Sequence, residues 1–228
     1  MTIFYLIGCL IVGYLLGSLN GSIIFGKLFL GKDIRSAGSK NAGATNALRV
    51  FGKKAAVFVF LFDLLKAIIS VLLAKNIVNV VFVEQLASKN GFDLPSLSLY
   101  GQYLAGLGAV LGHNFPLYFH FQGGKGILAS WGVIMILDYR IALILVVVFI
   151  LVVCITRYVS LASIISAIIY PLFVIVFTVG KPGSTSVCYI LLSLVVSALA
   201  VYRHRANIVR LQSGTESKLG ANKEKRSK

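Results

Sequence analysis

Charged side chains are scarce in this sequence. Asp, Glu, Lys and Arg make up 13% of its 228 residues and apolar residues 58%, with a mean hydropathy of +0.91; a soluble domain is nearer one quarter charged. The shortage, with apolar runs approaching twenty residues, excludes a water-soluble globule and predicts an all-α polytopic membrane bundle, since helices satisfy their own backbone in lipid. Cysteine is also rare. Cys9, Cys154 and Cys188 lie inside apolar runs with no metal-ligand spacing and no disulfide framework, and read as small apolar fillers. No H-E-x-x-H, no G-x-S-x-G and no Cys/His ligand cluster occurs, and no Asp follows His113 or His120 by four or five residues, as a His-Asp acyltransferase box would need.

What is present is seven apolar segments, at about 3–25, 55–74, 97–119, 127–137, 141–156, 158–180 and 187–202. Residues 76–83 either extend the second or lie at the interface. The net charge of +15 would suit a nucleic-acid binder, but its placement gives a simpler reading. If the stretches 26–54 and 113–126, the Arg157 turn and everything from Arg203 onward share one side, that side holds 17 of the 22 Lys and Arg. Lys75, Lys89, Arg140 and Lys181 fall opposite, and Lys66 sits within the second segment. By the positive-inside rule this predicts seven transmembrane helices, N-terminus outside, C-terminus cytoplasmic, and no nucleic-acid partner. Residues 1–212 read as one membrane-embedded domain without internal repeats, and 213–228, SGTESKLGANKEKRSK, as a disordered basic tail that at most leans on anionic headgroups. The opening LIGC at residues 6–9 imitates a lipoprotein cleavage box. No basic residue precedes it and the apolar run continues past Cys9, so the segment reads as an uncleaved first membrane helix.

The polar chemistry gathers on the basic side. In the first loop, GSKNAGATN crowds Gly38, Ser39, Asn41, Thr45 and Asn46 between Arg35, Lys40 and Arg49, with Asp33 the one nearby carboxylate. Small residues let backbone N–H groups approach a ligand closely, so this loop suits a phosphate-like anion. GGKG, residues 123–126, can fold a nest of N–H groups around an anion with Lys125 as a point charge; it lacks the spacing and the Ser or Thr of a Walker A loop. RYVSLAS carries Ser160 and Ser163 at the start of an apolar run, where an Arg-Tyr pair also anchors at an interface. In YRHRANIVRL, His204 and Asn207 are three apart and share a helix face. Asp63 and Lys66, also three apart, lie inside the second segment, where ionisable groups usually pair; an ion pair bracing the first loop is expected, with a proton relay as the alternative. Two phosphate-friendly loops, a His and an Asn on one face fit either a reaction between two phosphorylated molecules or a carrier of one. A carrier calls for a midplane site with broken helices.

The blocks LGSLNGS, DIRSAGSKNAGATNALRVFG, FDLLKA, LGHNFPLYFHFQGGKGI, RYVSLASI and RHRANIVRLQSGTESK follow in order from about Tyr14 to Lys218. Together they resemble the bacterial acyl-phosphate:glycerol-3-phosphate acyltransferase family of the inner membrane. The resemblance implies a seven-helix enzyme of the bacterial cytoplasmic (inner) membrane, with its active site facing the cytoplasm. It implies transfer of a long acyl chain from acyl phosphate to the 1-hydroxyl of glycerol-3-phosphate, releasing lysophosphatidate and inorganic phosphate. No cofactor or metal is implied, since acyl phosphate brings its own leaving group. The family's functional positions fall on Ser39, Arg49, Lys125, His204 and Asn207, its phosphate loop on Gly123, Gly124 and Gly126, and its third motif on Ser160 and Ser163. Asp63, Lys66 and His113 stand as supporting residues. Ser39 is expected to bind rather than attack, and His204 to act either as a general base or as a hydrogen-bonding group. Two positions depart from the pattern: Lys40 stands where Gly is usual, narrowing the turn and adding a cation, and Gln122 where Lys is common.

Overall fold

A computed structural model describes residues 2–77, 88–89, 91, 93–181 and 183–220. Ten α-helices are traced among them: α1 (Thr2–Ser18), α2 (Gly21–Leu30), α3 (Ala44–Val50), α4 (Lys53–Ile77), α5 (Leu94–Asn114), α6 (Ile127–Leu137), α7 (Tyr139–Thr156), α8 (Val159–Thr178), α9 (Ser184–Arg203) and α10 (Arg205–Gln212). The expected all-helical class holds. Of the stretch 76–83, residues 76 and 77 belong to α4, and 78–83 lie outside the described residues.

The apolar run 3–25 does not form one helix. Asn20, wholly buried, ends α1 and caps α2: its Oδ1 accepts from the N–H groups of Ser22 and Ile23, and its Nδ2 donates to Ala42 O at 3.3 Å. A short amide side chain replaces the backbone partners that a continuing helix would have used. The break therefore also fastens the first loop to the bundle.

Among the described residues, five helical stretches are long and apolar enough to cross a membrane: Thr2–Leu30, counted across the break, Lys53–Asn76, Tyr139–Thr156, Val159–Thr178 and Ser184–Arg203. The helix α5 has 21 residues but a more polar face, and α6 has 11. Large apolar side chains point outward, with Phe4 73% and Ile155 81% exposed. Such a surface suits lipid rather than water.

Glycine sets the closest helix pair. A Cβ on Gly13 or Gly17 of α1 would strike the backbone of Ala105 or Ala109, and one on Gly108 or Gly112 of α5 would strike the backbone of α1. Lipid offers no hydrophobic drive between helices, so small residues four apart hold the pair by letting the backbones touch. On the other side, Tyr103, Ile141, Leu145, Tyr170, Val174, Tyr189 and Val196 join α5, α7, α8 and α9 in one cluster. Pro171 lies inside α8, where its missing N–H frees the Ala167 carbonyl. Ser197 of α9 donates to that carbonyl at 2.6 Å, turning a helix defect into an interhelical bond.

Candidate active site

The first loop is held in shape by its own polar residues. Asn46, 1% exposed, accepts the Ser39 N–H at Oδ1 (2.9 Å) and donates from Nδ2 to Ile34 O (3.3 Å) and Ala37 O (3.1 Å). Its amide holds the loop, so Asn46, expected as a ligand, also positions Ser39. Gly38 adopts φ +64°, and a Cβ there would collide with Asn46 Oδ1 and Val50. Lys40, at φ 58°, occupies the left-handed region where glycine is cheaper. It is exposed and lines no part of the cavity described below, so its added cation stays outside.

Arg35 was expected beside an anion but is fully engaged elsewhere. It grips Asp33 through Nε (3.0 Å) and Nη2 (2.7 Å), and reaches from Nη1 to Phe119 O (2.9 Å) and Gln122 O (3.1 Å). This clamps the first loop to the turn carrying His120 and Phe121, both at positive φ (56° and 57°). A strained turn persists only where its surroundings over-determine it. Of the three cations flanking GSKNAGATN, Arg49 alone lines the cavity.

The glycine loop also differs from expectation. The N–H groups of Gly123 and Gly124 donate inward to Asn114 O (3.2 Å) and His113 O (3.0 Å). Two of the amides expected to nest an anion are thus already committed. Their carbonyls accept from Arg203, whose Nε meets Gly124 O at 3.0 Å and whose Nη2 meets Gly123 O at 3.1 Å. The need for glycine is one of space. A Cβ on Gly124 would press on His113 Nε2 and Ala42 O, and one on Gly123 on His113 O. Close packing here delivers Lys125 to the cavity wall.

Lys125 joins a chain of polar groups drawn from four elements. Its Nζ donates to Asn207 Oδ1 at 2.5 Å, and Asn207 Nδ2 donates to Glu216 Oε1 at 2.8 Å. Glu216 also accepts from Ser160 Oγ (2.8 Å) and Arg210 Nε (2.7 Å). Burial alone would raise the Glu216 carboxyl, but the bonds from Ser160, Asn207 and Arg210 outweigh it and hold the group below its ordinary range. Burial pushes the Lys125 ammonium down to about 8; Glu216 opposes the shift and Arg210, Arg49 and Arg203 add to it. His204 is pushed down to about 4 by burial first and Lys125 second. Its Nδ1 lies 2.8 Å from Ala200 O, and a carbonyl only accepts, so Nδ1 carries the proton and Nε2 a free lone pair.

Glu216 and Arg203 escaped the sequence reading. Residues 213–220, expected to begin a disordered tail, turn back over the site. Leu219 N–H meets Arg157 O at 2.7 Å and Arg157 Nη2 meets Leu219 O at 3.0 Å. Residues 221–228 lie outside the described residues.

Ser39, Asn41, Thr45, Asn46, Arg49, Asp63, His113, Lys125, Gly126, Ser160, Ser163, His204 and Asn207 all line one cavity of ≈ 460 Å³. Gly38, Gly123, Gly124 and Lys66 do not line it. The Asp63–Lys66 pair forms at 2.8 Å, and Lys66 Nζ also reaches Leu19 O and His113 Nδ1. About two or more turns along their helices from the polar loops the lining is apolar, with Ile134 of α6, Leu145 and Phe149 of α7 and Val196 of α9. A cavity cationic at one end and hydrocarbon at the other suits an amphiphilic phosphate. Among the described residues no three His, Cys, Asp or Glu side chains converge as a metal site.

Residues 7–214 match the family model described as glycerol-3-phosphate acyltransferase. A relative so named from Clostridioides difficile (strain 630) is 41% identical over 224 residues, covering 98% of this chain and all of its own. One from Shouchella clausii (strain KSM-K16) is 42% identical over 215 residues, covering 94% and 96%. Two crystal structures of PlsY, described as an integral membrane glycerol 3-phosphate acyltransferase, also match. Its glycerol 3-phosphate form aligns with a TM-score of 0.76 at 37% identity over 96% of each chain. Its lysophosphatidic acid form aligns at 0.72 and 36%, over 94% of this chain and 95% of that one.

Proposed function

The chain belongs to the glycerol-3-phosphate acyltransferase family and is an acyltransferase; from that premise we propose that its acyl donor is a long-chain acyl phosphate and its product lysophosphatidate. The cavity with a cationic end and an apolar end carries this reading, because it matches a donor whose phosphate adjoins its hydrocarbon chain. We further propose seven membrane crossings, with α5 and α6 as the two beyond the five apolar stretches, the N-terminus outside, and the site open to the cytoplasm of a bacterial inner membrane. The uneven placement of Lys and Arg supports that orientation. It would expose the ionic end to water-soluble glycerol-3-phosphate while the acyl chain stays among the helices.

Two anions must meet for the reaction, so the protein's task is to position and screen them. Arg49 and Lys125 supply charge and Ser39 supplies a hydroxyl, while Ser160 spends its own on holding Glu216. The 1-oxygen of glycerol-3-phosphate attacks the acyl carbon; the new C–O bond forms and the bond from acyl carbon to phosphate oxygen breaks. The alcohol's proton goes to the departing phosphate. His204, with a pKa of about 4, is a weaker proton acceptor than a phosphate whose second pKa is about 6. Its role is to accept a hydrogen bond at Nε2 and orient the attacking hydroxyl.

Purified protein in detergent, given glycerol-3-phosphate with palmitoyl phosphate, is expected to release inorganic phosphate and lysophosphatidate in equal amounts. Turnover with palmitoyl-CoA alone would overturn the donor. Uptake of glycerol-3-phosphate into liposomes without consumption of donor would overturn acyl transfer itself.

A pH profile separates the ionic roles. The active enzyme needs charged Lys125, which is present below a pKa of about 8 and lost above it, so kcat/KM should fall as pH rises through about 8. Lys125→Arg should carry that limb above pH 10 in whatever activity it retains, because guanidinium stays protonated. An alkaline limb unmoved by this substitution would belong to another group.

A further inference from the structure

Five hydroxyls inside the helices fold back onto their own backbone. Ser18, Ser70, Thr156, Ser163 and Thr178 each donate to the carbonyl four residues earlier, at 2.7–2.9 Å. Such back-bonding is the ordinary way to satisfy a hydroxyl in a membrane helix. Ser130 does not follow it. It is 7% exposed, its Oγ has no hydrogen-bond partner among the described residues, and it lines the same cavity as Lys125. A buried hydroxyl left without a partner costs free energy unless something else fills its need.

Its position indicates what that is. The helix α6 opens at Gly126, an N-cap with no side-chain bond, and the Ser130 N–H closes the first turn on Gly126 O at 2.7 Å. Ser130 thus stands about 6 Å along the axis from the loop that delivers Lys125. The other α6 side chains that line the cavity, Ile127 and Leu128 before it and Trp131 and Ile134 after it, are apolar, so Ser130 is the one polar side chain this helix presents there. An acyl phosphate laid along this wall has one polar group between its phosphate and its hydrocarbon, the acyl carbonyl, and that carbonyl falls beside Ser130.

We propose that Ser130 is a catalytic residue whose hydroxyl donates a hydrogen bond to the acyl carbonyl oxygen. This rests on the acyl-transfer reading but not on the leaving group, since every acyl donor carries that carbonyl. As the glycerol oxygen bonds to the acyl carbon, the C=O π pair moves onto the carbonyl oxygen and Ser130 stabilises it while keeping its own proton. The pair then returns to expel phosphate. Ser166, whose hydroxyl also lacks a partner, is six residues beyond Ser160 on α8, about 9 Å deeper along its axis, and faces the hydrocarbon part.

The test compares Ser130→Ala, Ser130→Thr and Ser166→Ala with the parent, using whichever acyl donor the parent turns over. Parent protein inactive with every donor would refute acyl transfer rather than the role of Ser130. With an active parent, Ser130→Ala is expected to lose about 10²-fold in kcat, as for removal of one oxyanion donor, with KM little changed. Ser130→Thr, which keeps the hydroxyl, should restore most of it. Hexadecyl phosphate, which has no carbonyl, should inhibit parent and Ser130→Ala equally well. Weaker inhibition of the variant by that compound would assign Ser130 to the phosphate or the chain and overturn the proposal. So would an equal loss in Ser166→Ala, or a kcat unchanged in Ser130→Ala.

Discussion

Replacing Lys125 by alanine is expected to lower kcat/KM by about 10³-fold, roughly what a charged donor at a water-excluded reacting centre contributes. Two effects add. The ammonium that would meet an incoming phosphate is gone, and Asn207 Oδ1 loses the donor it holds at 2.5 Å. The Glu216 carboxylate, bound through Asn207, then faces the same space with one cation fewer. Arginine restores charge but not fit, since its planar fork does not reproduce a single ammonium-to-amide bond; Lys125→Arg should recover only part of the loss. Phosphate release under steady state measures both variants, with thermal unfolding in detergent as the check on folding. A loss below tenfold in correctly folded Lys125→Ala would remove this residue from the reaction.

Much of this arrangement was legible because lipid imposes a strict code. Apolar runs had to be helices, but the exact ends of those at 127–137 and 141–156 were not legible; in the structure Asp138 separates them and caps α7 by accepting the Arg140 N–H. The residues that converge on the cavity were readable as types, since Ser39, Arg49, Lys125, His204 and Asn207 all stand in polar islands between apolar runs. Their partners were not. Arg203 looked like one more cation counted toward topology, yet it holds the carbonyls of Gly123 and Gly124 and stacks over Phe115 at 5.2 Å. Glu216 sat in a polar, low-complexity tail where disorder is the natural expectation. Its rarity was the available signal: a carboxylate a few residues beyond His204, Asn207 and Arg210 had cations and amides waiting for it.

The break at Asn20 failed to register for a different reason. Averaged over a span-length window, one Asn is lost among Leu, Ile and Phe. The local pattern carried the information, because Asn before Gly-Ser is a helix-start signature even inside an apolar run. The nest expected of GGKG has two of its N–H groups already bonded, because a motif specifies which backbone can bend, not which partners its N–H groups find. His113 and Asn114 bring their carbonyls up from the end of α5 and take two of those donors first.

That break makes Asp63 the residue whose loss should most damage the fold. Asp63 Oδ1 accepts Lys66 Nζ at 2.8 Å and the Gly21 N–H, the first of α2, at 3.2 Å. Lys66 in turn donates to Leu19 O at 2.6 Å and meets His113 Nδ1 at 3.1 Å. An ammonium has three protons and no lone pair, so His113 Nδ1 is the acceptor and its proton sits on Nε2. All three side chains are at most 5% exposed. The pair thus closes both ends of the α1–α2 break, joining α4 and α5 to it. Asp63→Ala would leave an unpaired ammonium and an orphaned N–H in the interior, at a cost of about 3–5 kcal/mol, which corresponds to a Tm lower by roughly 10 °C for a chain of this size. Removing both charges with Asp63→Leu and Lys66→Met should return more than half of that loss, because an absent pair costs less than a broken one. Thermal unfolding of the two variants in one detergent tests this directly. A Tm equal to the parent's in Asp63→Ala would show the pair to be dispensable, and a double variant no better than the single would show that the Gly21 N–H bond, not the lone charge, sets the cost.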